Sequence, residues 1–213
     1  MLTKDITNAL SKKKVFVFDF DSTLANTEDY SWIAHNRALE KYGITLTDEH
    51  IKRYIGSNDE VIFSKIKEEF KIEFDSQKHL VERLAIYLNL VKENNLKCFN
   101  YFTQILKIFP DTEFYILSGS KEIVIRQILN IWQLDNRFKK VISVFDLKIS
   151  KKEVLINSQS YFETAKENIV LFEDLASTLK EAKELGVLAI GIKSKYNYKT
   201  LSNYDFVIDV TNE

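Results

Sequence analysis

The sequence predicts an α/β fold, a Rossmann-like parallel sheet core with helices on both faces and an all-helical cap inserted after the first strand. Three observations carry this. Short apolar runs recur as Val15 to Phe18, Phe114 to Leu117, Val141 to Phe145, Ile169 to Phe172, Val187 to Ile192 and Phe206 to Val210. Most lack alternation, which suits strands covered on both faces. Between the later runs lie helical stripes, and strands alternating with helices imply a doubly wound sheet. The stretch from about residue 25 to 99 breaks the rhythm, holding helical stripes and no convincing strand.

The helices follow from spacing. Leu175, Leu179, Ala182 and Leu185 form one stripe, with Gly186 placed to cap its end. Phe102, Ile105, Leu106 and Phe109 form a second before Pro110, and Val124, Ile128 and Ile131 a third. In the insert, Ile62, Ile66 and Phe70 recur every fourth residue, Leu80, Leu84, Tyr87, Leu88 and Val91 form a longer stripe, and Trp32, Leu39 and Tyr42 lead to Gly43. The aromatic residues of this insert read as helix-bundle core. The domains expected are an α/β core of residues 1–24 and 100–213 and a helical cap of residues 25–99.

Composition narrows the function classes. With 45% apolar and 29% charged residues the chain reads as globular, and no segment nears the roughly 18 uninterrupted apolar residues of a membrane span. No membrane is expected as a partner. Thirty Lys+Arg against 31 Asp+Glu leaves no basic excess for nucleic acid, and Lys12–Lys14 reads as the solvated start of a strand. Charges at Lys4 and Asp5 interrupt any secretory apolar stretch, and the single cysteine, Cys98, suits a reducing compartment; the expectation is cytoplasmic.

Ligands of open parallel sheets bind beyond the carboxyl ends of the strands. The first run ends in Asp19-Phe20-Asp21-Ser22-Thr23, the second in Ser118-Gly119-Ser120 and the fourth in Glu173-Asp174, while Lys151 and Lys152 lie beyond the third. Acid, hydroxyl, cation and acid thus occupy four strand ends. Carboxylates converging on one crevice imply a cation, and oxygen-only ligands point to Mg²⁺ rather than zinc. Such an ion would let an anionic carboxylate approach a phosphate, and a lysine and a hydroxyl aimed at the same oxygens would stabilise phosphoryl transfer. Two aspartates one residue apart permit two roles, Asp19 attacking phosphorus and Asp21 protonating the leaving oxygen and later deprotonating water, an ordering that the residues alone leave open.

These residues resemble the haloacid dehalogenase superfamily, whose first signature is a strand ending Asp-x-Asp-x-Thr, matched at Asp19 to Thr23. The resemblance implies Asp19 as nucleophile, Asp21 as acid/base and main-chain ligand of Mg²⁺, and Ser118 as phosphate binder. Lys151 resembles the family's lysine, with Lys152 as the alternative, and Glu173 and Asp174 resemble the acidic pair that completes the metal site. Thr23 and Gly119 are expected at the substrate. The insert resembles the cap of phosphoglycolate phosphatase and β-phosphoglucomutase relatives, with Gly56-Ser57-Asn58 as its contact loop and His35 and Arg53 as weaker candidates. The cap would close over the crevice, favouring a small phosphorylated metabolite. The expected assembly is a monomer or homodimer.

Three positions depart from the family pattern: Ser22 replaces the usual Gly, the lysine is not followed by Pro, and Thr178 replaces a frequent Asp or Gly. A carboxylate at Asp21 weakens dehalogenase and phosphonate-cleaving readings. Mutase-like relatives place a His where this chain has Ser31, so phosphatase is favoured over phosphomutase. A non-catalytic phosphate-ligand-binding or regulatory module on the same fold is the third possibility.

Overall fold

Six parallel strands form one sheet in the order β3-β2-β1-β4-β5-β6: β1 Val15–Phe18, β2 Glu113–Ser118, β3 Lys140–Ser143, β4 Ile169–Glu173, β5 Leu188–Lys193 and β6 Val207–Asp209. The computed structural model describes residues 2–55, 57–197, 199–201, 204 and 206–213. Its helices, in chain order, are α1 Lys4–Leu10, α2 Thr27–Leu39, α3 Asp48–Tyr54, α4 Asp59–Phe70, α5 Ser76–Glu93, α6 Asn100–Ile108, α7 Glu122–Ile131, α8 Val144–Leu147, α9 Lys151–Ile156, α10 Ser158–Phe162 and α11 Ala176–Glu184. The chain divides into two compact units, residues 1–26 with 97–213, and residues 27–96.

The sheet sorts its side chains by the two-residue strand repeat. Val15, Val17, Tyr115, Leu117, Ile142, Ile169 and Leu171 cluster with Val154 and Leu155 of α9, Phe162 of α10 and Ala182 of α11. The alternate positions carry an aromatic cluster: Phe18 stacks on Phe172 at 4.4 Å and meets Phe102 of α6 edge-on at 5.2 Å, while Phe16 contacts Phe114 and Phe109. Helices therefore cover both faces. Complete burial of each such side chain stabilises the fold by roughly 1.5–3 kcal/mol.

One predicted strand gives way to a helix within its apolar run. The run Val141 to Phe145 is extended only to Ser143, whose side chain accepts the Asp146 N–H and starts α8 with Val144 and Phe145. The hydroxyl at Ser143 caps the helix where apolarity alone would have continued the strand. Gly186 closes α11 with φ +79°, and Gly43, at φ +68°, follows a 3₁₀ turn over Glu40–Tyr42, so Tyr42 lies beyond α2 rather than on it.

The helical unit has its own core of Trp32, Leu39, Ile44, Leu46, Tyr54, Ile62, Phe63, Ile66, Phe74 and Leu80. Two histidines are buried in it. His79 sits among Phe63, Phe74 and Tyr42, and His35 lies 3.6 Å from the Asp59 carboxylate. Burial lowers the pKa of both; Arg83 opposes protonation of His35, and Lys41 that of His79. The unfolded chain binds these protons near pH 6.5 while the folded chain does not, so stability is lost as pH falls below that value. Each histidine contributes at most about 1.4 kcal/mol per pH unit. Thermal melts of His79→Phe between pH 7 and 5 should show a shallower loss than the parent, and an unchanged slope would exclude His79 as a contributor.

Among the described residues no helix is long and apolar enough to cross a membrane.

Candidate active site

The parallel register brings the acids together. Val15 pairs with Ile169 and Val17 with Leu171, so the same two-residue step leads to Asp19 on one strand and Glu173 on its neighbour. The Asp19 N–H donates to Phe172 O at 2.9 Å, which fixes the first residue past β1 against β4. On the same face, α9 packs through Val154 and Leu155, and its first residue is Lys151. A capping box between Ser150 and Glu153 sets where α9 starts. That start aims Lys151 at the acids. Its Nζ donates to Asp19 Oδ1 and to Glu173 Oε2, both at 2.6 Å. Of the two adjacent lysines, Lys151 is the one bonded to both carboxylates.

Glu173 is fully buried and has a double duty: its other oxygen, Oε1, accepts the N–H groups of Asp174 and Leu175 at 3.1 Å each. It thereby shapes the turn that leads into α11. Ligand oxygens of Asp19, Glu173 and Asp174 all lie within 4.8 Å of one another. Burial pushes Asp19 up to about 7 against the pull of Lys151, with Glu173 adding to the rise. Asp174 is raised well above the carboxylate range by burial, then by Glu173 and Asp19. Burial alone would discharge Lys151, but Asp19 and Glu173 hold it protonated. Three carboxylates thus face one ammonium. The all-oxygen donor set and the surplus of negative charge fit a hard divalent cation.

Asp21 lies outside that triplet. Ser120 Oγ donates to Asp21 Oδ2 at 2.5 Å, and the Ser120 N–H donates to Ser118 Oγ at 3.1 Å. The Ser120 N–H occupies one of the two acceptor sites of the buried Ser118 hydroxyl and leaves its O–H proton uncommitted by that bond. Gly119 is exposed, and a Cβ there would meet nothing within 4 Å, so the fold itself does not demand glycine. The Thr23 carbonyl accepts the Tyr101 hydroxyl at 2.5 Å, while Thr23 Oγ1 is buried with no hydrogen-bond partner among the described residues. Ser22 adopts φ +56°, in the left-handed region that favours glycine. Ser22→Gly should change stability by less than about 1 kcal/mol, whereas β-branched Ser22→Val should cost about 1–3 kcal/mol in denaturant titration.

The remaining sequence candidates belong to α11 and to the helical unit. Thr178 is buried on α11 and is not part of the carboxylate triplet. Gly56 lies outside the described residues. Ser57 precedes Asn58, whose side-chain oxygen accepts the Val61 N–H at 2.9 Å and caps α4. Arg53 donates to Glu69 Oε1 at 2.7 Å with its side chain 56% exposed, whereas His35 is 1% exposed. Ser31 accepts from Arg83, which pairs with Asp59 at 2.7 Å. Two contributors escaped sequence reasoning. Ser120 binds Asp21 from 99 residues away, and Asn197 donates through Nδ2 to the carbonyls of Asp174 (2.7 Å) and Ile192 (2.9 Å). Only the Ser-Gly-Ser strand end hinted at the first.

A parallel α/β sheet with acids and a lysine gathered past its carboxyl edge defines a class of fold and site that comparison places in a family. A family model described as haloacid dehalogenase-like hydrolase matches residues 16–192. The chain belongs to this family. Solved structures show the same fold at low identity. The β-phosphoglucomutase of Clostridium difficile is 19% identical with a TM-score of 0.73, covering 94% of this chain and 92% of its own. CbbY of Rhodobacter sphaeroides, in complex with phosphate, is 13% identical with a TM-score of 0.79 over 92% and 93%. YfnB of Bacillus subtilis, in a structure bound to magnesium, is 17% identical with a TM-score of 0.73 over 92% and 94%. No curated protein matches the sequence.

Proposed function

We propose that this chain is a Mg²⁺-dependent phosphatase that hydrolyses a small phosphorylated metabolite through an aspartyl-phosphate at Asp19. The observation that carries this is the double hydrogen bond of Lys151 to Asp19 and Glu173 beside Asp174. An Asp19 oxygen forms the new bond to phosphorus as the ester oxygen leaves, and Asp21 gives that oxygen its proton. Asp21 then takes a proton from the water that releases phosphate from Asp19. Lys151 and the Ser118 hydroxyl hold the equatorial oxygens, where charge must be stabilised. Asp19, Glu173, Asp174 and the Asp21 carbonyl would hold Mg²⁺, which supplies the positive charge that lets carboxylate and phosphate meet.

The phosphomutase reading draws on the C. difficile neighbour's name. Against it stands Ser31, which accepts a hydrogen bond from Arg83, while the next histidine on the helix, His35, is buried beside Asp59. A panel of sugar, nucleotide and small-acid phosphates, assayed with Mg²⁺ and with or without a sugar bisphosphate activator, tests the assignment. Phosphate release without activator supports the phosphatase. Isomerisation that requires activator would replace it with the mutase, and ligand-raised melting temperatures without any turnover would leave a binding module.

A further inference from the structure

Ser120 is engaged twice, and both partners are candidate catalytic groups. Its N–H bonds the Ser118 hydroxyl and its own hydroxyl bonds Asp21 Oδ2. The backbone on Asp21's side is also fixed locally: Leu24 N–H donates to Phe20 O at 3.0 Å, and Asp21 bridges to Ala25. What this local turn leaves to be set is the direction of the Asp21 side chain. A half-buried carboxylate three residues past a strand has several staggered orientations, and a 2.5 Å contact to a hydroxyl on the adjacent strand's end selects among them.

We propose that Ser120 is a positioning residue that aims Asp21 at the leaving-group oxygen and ties its placement to that of Ser118. The proposal rests on the reading of Asp21 as the group that protonates the leaving oxygen. A hydroxyl suits the task because it both donates and accepts, so the contact serves Asp21 before and after it gives up its proton. No proton passes through Ser120. Its effect is confined to the orientation of the carboxyl, and misplacement of a reacting group by about 1 Å can cost on the order of 100-fold in rate.

The dependence on leaving group separates this role from a structural one. An aryl phosphate departs without help from an acid, whereas an alkyl phosphate needs the proton. Ser120→Ala should lower kcat for an alkyl phosphate by about 10- to 100-fold and for p-nitrophenyl phosphate by less than about threefold, with KM little changed. Ser120→Thr, which keeps the hydroxyl, should recover most of the loss. On an Asp21→Ala background, Ser120→Ala should add nothing further. Equal losses for both esters, or a full extra loss in the double variant, would overturn the proposal. The parent assignment has its own control. If Asp21→Ala alone shows no preference between alkyl and aryl esters, the acid reading of Asp21 fails; if it shows one and Ser120→Ala does not, only the positioning role fails.

Discussion

Asp19→Asn should remove turnover by roughly four to six orders of magnitude while leaving the metal-free fold at least as stable as the parent. The amide is nearly isosteric and retains an oxygen that can accept from Lys151, now without the charge. As a nucleophile toward phosphorus it lacks the negative charge that attack requires. The stability expectation comes from electrostatics. Asp19 is pushed up to about 7 by burial and by Glu173, and its charge in turn raises Asp174, so an amide relieves repulsion within the triplet. Loss of the Lys151 ion pair opposes this gain, but Lys151 retains Glu173 at 2.6 Å. Phosphate release measured beside a thermal melt checks both halves. Activity within tenfold of the parent would remove Asp19 from the nucleophile's role.

Lys151→Met should destabilise the metal-free protein by about 3–5 kcal/mol and lower kcat at least 100-fold. The lysine is 12% exposed at its side chain and is the cation hydrogen-bonded to both Asp19 and Glu173. Without it the buried carboxylates can relieve their repulsion only by taking up protons, at a cost in stability near neutral pH. Mg²⁺ should recover more stability in this variant than in the parent, because it supplies the missing charge. Melting curves with EDTA and with Mg²⁺ give both numbers. Equal stability of variant and parent in EDTA would mean that solvent, rather than Lys151, balances these acids.

Much of this arrangement was legible in the sequence. Continuous apolar runs located β1 and β4 because central parallel strands are covered on both faces and tolerate few polar residues. The acids at their ends could be read as a set because position in such a sheet dictates where ligands bind. Other features depend on partners remote in the chain. Lys151 and Lys152 differ by one residue, about 100° around a helix, and the Ser150–Glu153 capping box decides which one faces β1 and β4. His35 could pass for a surface residue until Asp59 and the surrounding helices enclose it. The hold of Ser120 on Asp21 had only the Ser-Gly-Ser strand end as a hint, and that of Asn197 on the Asp174 carbonyl has no local pattern.

The alternation that separates phenylalanine from valine along β1 also decides the side on which Asp19 emerges, because Val15, Val17 and Asp19 share one parity and Phe16 and Phe18 the other. Deleting a single residue within this strand would turn the carboxylate toward the phenylalanine layer and a benzyl ring toward Lys151. The side on which Asp19 emerges is therefore inherited from hydrophobic sorting deeper in the strand, and an odd change of count there disturbs both together.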